Sequence, residues 1–129
     1  MPDVLVEVRG RWLGSARSGF LQAISAALAE TLQVPAAGQV LRLVEHPPEN
    51  IIVPAGRGER FTRVEVTMTA GHSGEARHAL YRAIVASVAE FAVPPGDVKI
   101  VLVEVPGDNV AARGGHVASD LGLDREVRV

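Results

Sequence analysis

Val4-Leu5-Val6-Glu7-Val8 and, sixty residues later, Val64-Glu65-Val66-Thr67-Met68 decide the fold. In both stretches apolar residues alternate with others, the two-residue period of a strand with one buried face. The segments behind the two stretches repeat as well. Behind the first come a Gly-containing break, a helical pattern, Val34-Pro35 and the run Val40-Leu41-Arg42-Leu43-Val44-Glu45. Behind the second come a break at Gly71, another helical pattern, Val93-Pro94 and the run Val98-Lys99-Ile100-Val101-Leu102-Val103-Glu104. Arg17/Arg77, Ile24/Ile84, Ala29/Ala89 and Glu30/Glu90 keep an offset of 60, whereas Val34/Val93, Pro35/Pro94 and Glu45/Glu104 keep 59. One residue is lost near the end of the second helix. Self-similarity of this kind marks one supersecondary unit used twice.

Each unit reads strand, helix, strand. Phe20, Ile24, Leu28 and Leu32 recur at helical spacing, and so do Leu80, Ile84, Val88 and Phe91. Ser73 is the expected N-cap of the second helix, and Val-Pro is expected to end both helices because proline cannot continue the ladder. The apolar runs 40–44 and 100–103 read as central strands covered on both faces. A unit of this size makes a right-handed crossover with parallel strands. The expected architecture is therefore α+β: one domain over 1–129, with repeats at 2–46 and 62–106 forming a four-stranded sheet with two helices on one face. The other sheet face needs cover, so an oligomer in which bare faces meet is expected. The linker from His46 to Phe61 is rich in Pro, Gly and charge, with Ile51-Ile52-Val53 as a short edge-strand candidate. The tail 107–129, with Gly107, Gly114 and Gly115, reads as a turn and hairpin able to pair with a neighbour.

Composition narrows the function classes. The 129 residues are 47% hydrophobic and 22% charged with a formal net charge of −2, ordinary for a soluble globular protein. There is no basic run or basic-aromatic cluster to track phosphates, so no nucleic-acid partner is expected. Apolar stretches are far shorter than the roughly 20 residues of a membrane span, and no export signal is seen, so the expectation is a cytoplasmic protein without a membrane partner. Cysteine is absent, which removes disulfides, thiolate sites and a cysteine nucleophile. The four His residues, 46, 72, 78 and 116, lack paired zinc spacing, so no metal is expected. Gly56-x-Gly58 and Gly114-Gly115 lack the strand-to-helix context of a phosphate loop, and no cofactor is expected. Glu45-His46 invites an acid-base reading, but Pro47-Pro48 behind it marks a strand exit and a structural role.

The doubled unit opening Met1-Pro2 resembles the tautomerase superfamily. So do Glu45-His46-Pro47 with Glu49-Asn50, Gly58-Glu59-Arg60, Ala79-Leu80-Tyr81, Leu102-Val103-Glu104-Val105 and the tail from Arg113 to Ser119 with its Gly-Gly-x-x-Ala-Ser pattern. That superfamily includes 4-oxalocrotonate tautomerase, macrophage migration inhibitory factor, and the malonate semialdehyde decarboxylase and chloroacrylic acid dehalogenase relatives. The likeness covers nearly the whole chain, and the order of the motifs carries it. It implies a homotrimer of doubled subunits, with an active site around the N-terminal proline after removal of Met1.

The chemistry that the resemblance implies rests on elementary principles. A free N-terminal Pro2 is a secondary amine on a rigid ring, held by the strand behind it. An α-amino group titrates near about 8 in the open, and a dry or cationic pocket lowers this by disfavouring the charged form. Neutral near pH 7, Pro2 would take a proton from the carbon next to a carbonyl and return it elsewhere. Cations would hold the substrate carboxylate and stabilise the enolate oxygen. The second unit has Thr62 where the first has Pro2, and Thr62 is internal, so one site type per subunit is expected.

By resemblance, Gly10-Arg11 matches the Arg after the family's first strand, one residue nearer to Pro2. The family's second Arg falls on Val40 in the first unit and on Lys99 in the second. Arg11 and Lys99 are thus the expected substrate binders. For Arg11 the alternative is a solvated loop cation, and for Lys99 an interface salt bridge. His72 at a helix N-terminus would be a neutral donor, the alternative being a surface histidine. The family's aromatic wall falls on Ala111. The decarboxylase acid and arginines fall on Gly38, Ala70 and His72, and the dehalogenase arginines on Thr69 and His72, which disfavours both activities. Arg60 matches an Arg of longer members without an assigned role. The function implied is a keto–enol tautomerase or isomerase for a small 2-oxo acid or its enol. The alternatives are a catalytically silent trimer and a proline-dependent lyase or hydratase.

Overall fold

The computed structural model describes residues 1–118, 120, 121 and 129. Its elements are β1 (Asp3–Arg9), α1 (Arg17–Leu32), β2 (Val40–His46), β3 (Thr62–Thr69), α2 (Gly74–Ala89), β4 (Val98–Val105), β5 (Ala111–Arg113) and β6 (His116–Val117). β1 to β4 form one sheet in the order β2-β1-β3-β4. β1 and β2 are parallel, β3 and β4 are parallel, and the two pairs meet antiparallel through β1 and β3. This is the expected α+β architecture, two β-α-β repeats in one four-stranded sheet.

Strand order corrects one expectation. The apolar runs of β2 and β4 lie at the two edges of the sheet, and the alternating strands β1 and β3 occupy its centre. A continuous apolar run reports that both faces of a strand are covered, whereas edge or centre concerns hydrogen bonding in the perpendicular direction. The two properties are independent, and here the side chains that break the alternation, Val40 and Val44 of β2 and Val103 of β4, are exposed. The segment Ile51-Ile52-Val53 adds no strand, and Ile52 is 98% exposed.

One face of the sheet carries the core. Val4, Val6 and Val8 of β1 and Val64, Val66 and Met68 of β3 are buried against Phe20, Ile24 and Leu28 of α1 and Leu80, Ile84 and Val88 of α2. Trp12 and Phe91 meet Phe20 edge-on, at centroid distances of 5.7 and 5.1 Å, and close the end of this layer. Ser73 caps α2 as expected, its hydroxyl accepting from the Ala76 amide at 3.0 Å. Both helices stop short of their Val-Pro pairs. The chain leaves α1 through Gln33 in the left-handed region (φ 55°) and passes Ala92 (φ 62°) after α2. Pro35 and Pro94 then open short 3₁₀ turns that lead into β2 and β4.

Among the described residues no helix covers the opposite face. By alternation it presents Asp3, Leu5 and Glu7 of β1, Val40, Arg42, Val44 and His46 of β2, Arg63 and Glu65 of β3, and Lys99, Val101 and Val103 of β4. Glu7 lies 3.0 Å from His46 and 3.4 Å from Arg63, and Arg63 reaches Glu65 at 3.1 Å. An ion-pair network thus runs through a partly apolar surface. Glu45, on the helix side, pairs with Arg17 at 2.7 Å, the structural role expected of it. The linker is clipped to the second half by Asp97, which is buried and accepts the Gly58 amide at 2.7 Å. Among the described residues no helix is long and apolar enough to cross a membrane.

Candidate functional site

Pro2 is buried at the head of β1. Its carbonyl accepts the Val40 amide at 3.2 Å, which ties the head of β1 to the start of β2. The terminal ammonium on Met1 donates to the Gly38 carbonyl at 2.6 Å. Around these residues opens a cavity of about 480 Å³, bounded by Met1 to Asp3, by Ala37 to Val40, and by Val110 to Arg113. The third wall is a hairpin. β5 and β6 pair antiparallel across Gly114 and Gly115, whose φ values of 57° and 81° are the left-handed pair that a tight two-residue turn requires. The hairpin expected in the tail is present; Ser119 and residues 122–128 of that tail lie outside the described residues.

Arg11 lies two residues beyond the far end of β1. It lines a second cavity of about 370 Å³ with Arg9, Gly10, Trp12, Pro48, Glu59 and Arg60. Arg60 is held there by two contacts: it donates to the Phe91 carbonyl at 2.9 Å and stacks over Trp12 at 4.7 Å. The Nε of Arg9 is buried with no hydrogen-bond partner among the described residues. This end of the sheet is therefore a cationic pocket. It is separated from Pro2 by the length of β1, roughly 20 Å at about 3.3 Å per residue.

Lys99 is likewise remote from Pro2. It is exposed, level with Arg63 on β4, while Asp3 is level with Thr67 and through it with Val103. Four residues along and two strands across place it about 16 Å from Asp3. His72 lies at the same end of the sheet as Pro2, since β3 runs antiparallel to β1. It is not a surface histidine: it is 5% exposed, and its Nδ1 lies 2.9 Å from the Val129 carbonyl oxygen. It does not line the Pro2 cavity. Within one chain, then, Pro2 shares its cavity with none of Arg11, Lys99 and His72. Among the described residues no group of three or more His, Asp or Glu is placed to hold a metal ion.

Among the described residues the cationic side chain that lines the Pro2 cavity is Arg113. In the sequence nothing sets it apart, because Arg is the chain's general cation, twelve of the 13 basic residues. The available signal is its place one residue before Gly114-Gly115, at the tip of a hairpin.

Residues 38–112, more than half of the chain, match the family described as "Tautomerase enzyme". The chain belongs to this tautomerase family. The match begins at Gly38 on one wall of the Pro2 cavity and ends at Ala112 on another. The tautomerase fold is shared with solved structures. A fused 4-OT called Q0, solved as a wild-type symmetric trimer, is 25% identical with a TM-score of 0.84, covering 93% of this chain and 98% of that one. Pt0534 inactivated by 2-oxo-3-pentynoate is 22% identical with a TM-score of 0.84, covering 93% and 98%. FG41 malonate semialdehyde decarboxylase inhibited by 3-bromopropiolate is 24% identical with a TM-score of 0.81, covering 98% of both chains. No curated protein sequence matches this tautomerase-family chain.

Proposed function

We propose that this protein is a keto–enol tautomerase acting on a small 2-oxo acid or its enol, with Pro2 as the acid-base once Met1 is removed. The observation that carries the reading is Pro2 itself: a proline one residue from the terminus, buried, at the head of a central strand, facing a cavity large enough for a small acid. Family membership supports an enzyme of this kind. Removal of Met1 would convert the proline amide nitrogen into a secondary amine and free the Gly38 carbonyl. That amine would take the proton from the carbon beside the carbonyl and deliver it to the other end of the enol system.

Arg11 and Lys99 fit this reading only as another subunit's contribution, since each lies at the far end of its own sheet from Pro2. A trimer would meet that requirement, and the Q0 fused 4-OT is a symmetric trimer. It would also cover the open sheet face, where Leu5, Val40, Val44, Val101 and Val103 surround the Glu7 network. No cofactor enters the chemistry, and a cytoplasmic place with a small-molecule partner completes the proposal. One observation favours a silent trimer instead: Ala111 stands at the cavity wall where the family's aromatic residue is expected.

The test is made on protein without an N-terminal tag. Intact mass reads whether Met1 is lost, and ketonisation of phenylenolpyruvate is compared with Pro2→Ala. Loss of Met1 with turnover that disappears in Pro2→Ala supports the tautomerase. A mature proline terminus with turnover equal to the variant's would leave the silent trimer.

A further inference from the structure

The Pro2 cavity has an anion-binding group of its own. Among the described residues its lining holds one acidic side chain, Asp3, and one basic side chain, Arg113. Asp3 is already engaged, its Oδ1 lying 3.6 Å from the Arg42 guanidinium. Arg113 is exposed and makes no hydrogen bond or ion pair among the described residues, while its backbone is fixed by the hairpin. It is the last residue of β5, paired with His116 across the Gly114-Gly115 turn. The base of the hairpin is pinned by Ala118, which is fully buried and donates its amide to the Val110 carbonyl at 2.7 Å. The two residues ahead of Arg113, Ala111 and Ala112, line the same cavity and carry only methyl side chains.

We infer that Arg113 binds the carboxylate of the 2-oxo acid in its own subunit's site. A guanidinium presents paired donors in a planar fork that matches a carboxylate, and an uncommitted one loses no internal contact on binding. This rests on the reading of Pro2 as the reacting amine. It adds the orientation of the substrate: carboxylate toward the β5–β6 hairpin, carbonyl and adjacent carbon toward β1. It also gives the site a cation before any other subunit contributes.

The experiment uses two alkylating ynones on the untagged, processed protein. One is 2-oxo-3-pentynoate, which carries a carboxylate; the other is 3-pentyn-2-one, which does not. Each adds a nucleophilic amine across its alkyne with no leaving group, so intact mass and peptide mapping read the labelling rate at Pro2. Arg113→Ala is expected to slow labelling by the acid about tenfold or more while changing the neutral ynone by less than about twofold, with Arg113→Lys between the two. Arg113→Gln serves as a second variant that keeps a long polar side chain at the hairpin tip, and it should behave like the alanine. Equal slowing of both reagents, or of neither, overturns the role of Arg113 while leaving Pro2 in place. Absence of labelling at Pro2 in the wild-type protein by either reagent removes the tautomerase reading, and Arg113 with it.

Discussion

The two halves of the chain meet the same packing demands with matched residues and part company most clearly at their strand heads. Ile24 and Ile84 are both fully buried, at equivalent turns of α1 and α2. Arg17 pairs with Glu45 at 2.7 Å, and the residues related by the repeat, Arg77 and Glu104, pair at 3.0 Å. At the head of β1 stands Pro2 with a cavity before it; at the head of β3 stands Thr62, fully buried, its hydroxyl donating to the Arg60 carbonyl at 3.0 Å. Gly38 and Asp97 are related by the repeat as well. Gly38 has no side chain and its carbonyl takes the terminal ammonium, whereas Asp97 adds a carboxylate that takes the Gly58 amide. The second half has thus filled with linker the place that the first half leaves open. Shared positions keep the fold, and the divergent ones decide where chemistry is possible.

The largest expected effect separates the heads. Pro2→Ala should lower phenylenolpyruvate turnover by about 100-fold or more, the scale of a positioned acid-base. Thr62→Ala should leave kcat per folded site within about twofold, because its hydroxyl serves only the linker. A matched loss in both would erase the distinction. Core truncation tests the likeness instead. Ile24→Ala and Ile84→Ala should each cost about 2–5 kcal/mol in chemical denaturation, agreeing to within about 1 kcal/mol. A much smaller cost in one half would mean that half is less tightly packed.

Gly58→Ala sharpens the contrast at the linker. A Cβ there would stand 2.5 Å from Asp97 Oδ2, so the clip must open. About 1–3 kcal/mol of stability should be lost, with turnover at the distant Pro2 unchanged. Gly38→Ala meets nothing closer than 3.8 Å and should cost far less. The smallest effect belongs to the repeated ion pairs. Double-mutant cycles on Arg17/Glu45 and on Arg77/Glu104 should give about 0–1 kcal/mol each, since both pairs are partly solvated. Each Arg also donates to a carbonyl ahead of its helix, Arg17 to Gly14 and Arg77 to His72, both at 2.9 Å, so unequal coupling energies would break the likeness of the halves.

Much of this fold is legible in the chain. The alternation at 4–8 and 64–68, the helical spacing behind each, Ser73 as a cap and the Gly-Gly hairpin all rest on local rules, and local rules read from sequence. Long-range placement does not. Nothing in Val40-Leu41-Arg42-Leu43-Val44 says which of its edges is hydrogen-bonded, so its apolar run points to the centre of a sheet whose edge it occupies. The burial of His72 is hidden in the same way, because its partner, Val129, is 57 residues away. Pro2 is legible as a candidate because it is singular. Arg113 is not, because its meaning comes from a cavity whose walls are drawn from three separated segments.

The clip between Asp97 and Gly58 has a consequence for how unlike halves stay together. Two separate chains, one of each kind, would sort at random into like and unlike pairs. Joining them through residues 47–61 makes the encounter intramolecular, at an effective concentration on the order of millimolar for a short linker. It also fixes their stoichiometry at one to one. Every assembled sheet then contains one strand head that begins near the terminus and one that cannot, whatever the expression level. Severing the linker at the exposed Ala55-Gly56 turn should therefore leave each fragment folded in form but free to mispair, with like sheets appearing beside unlike ones in native mass spectrometry.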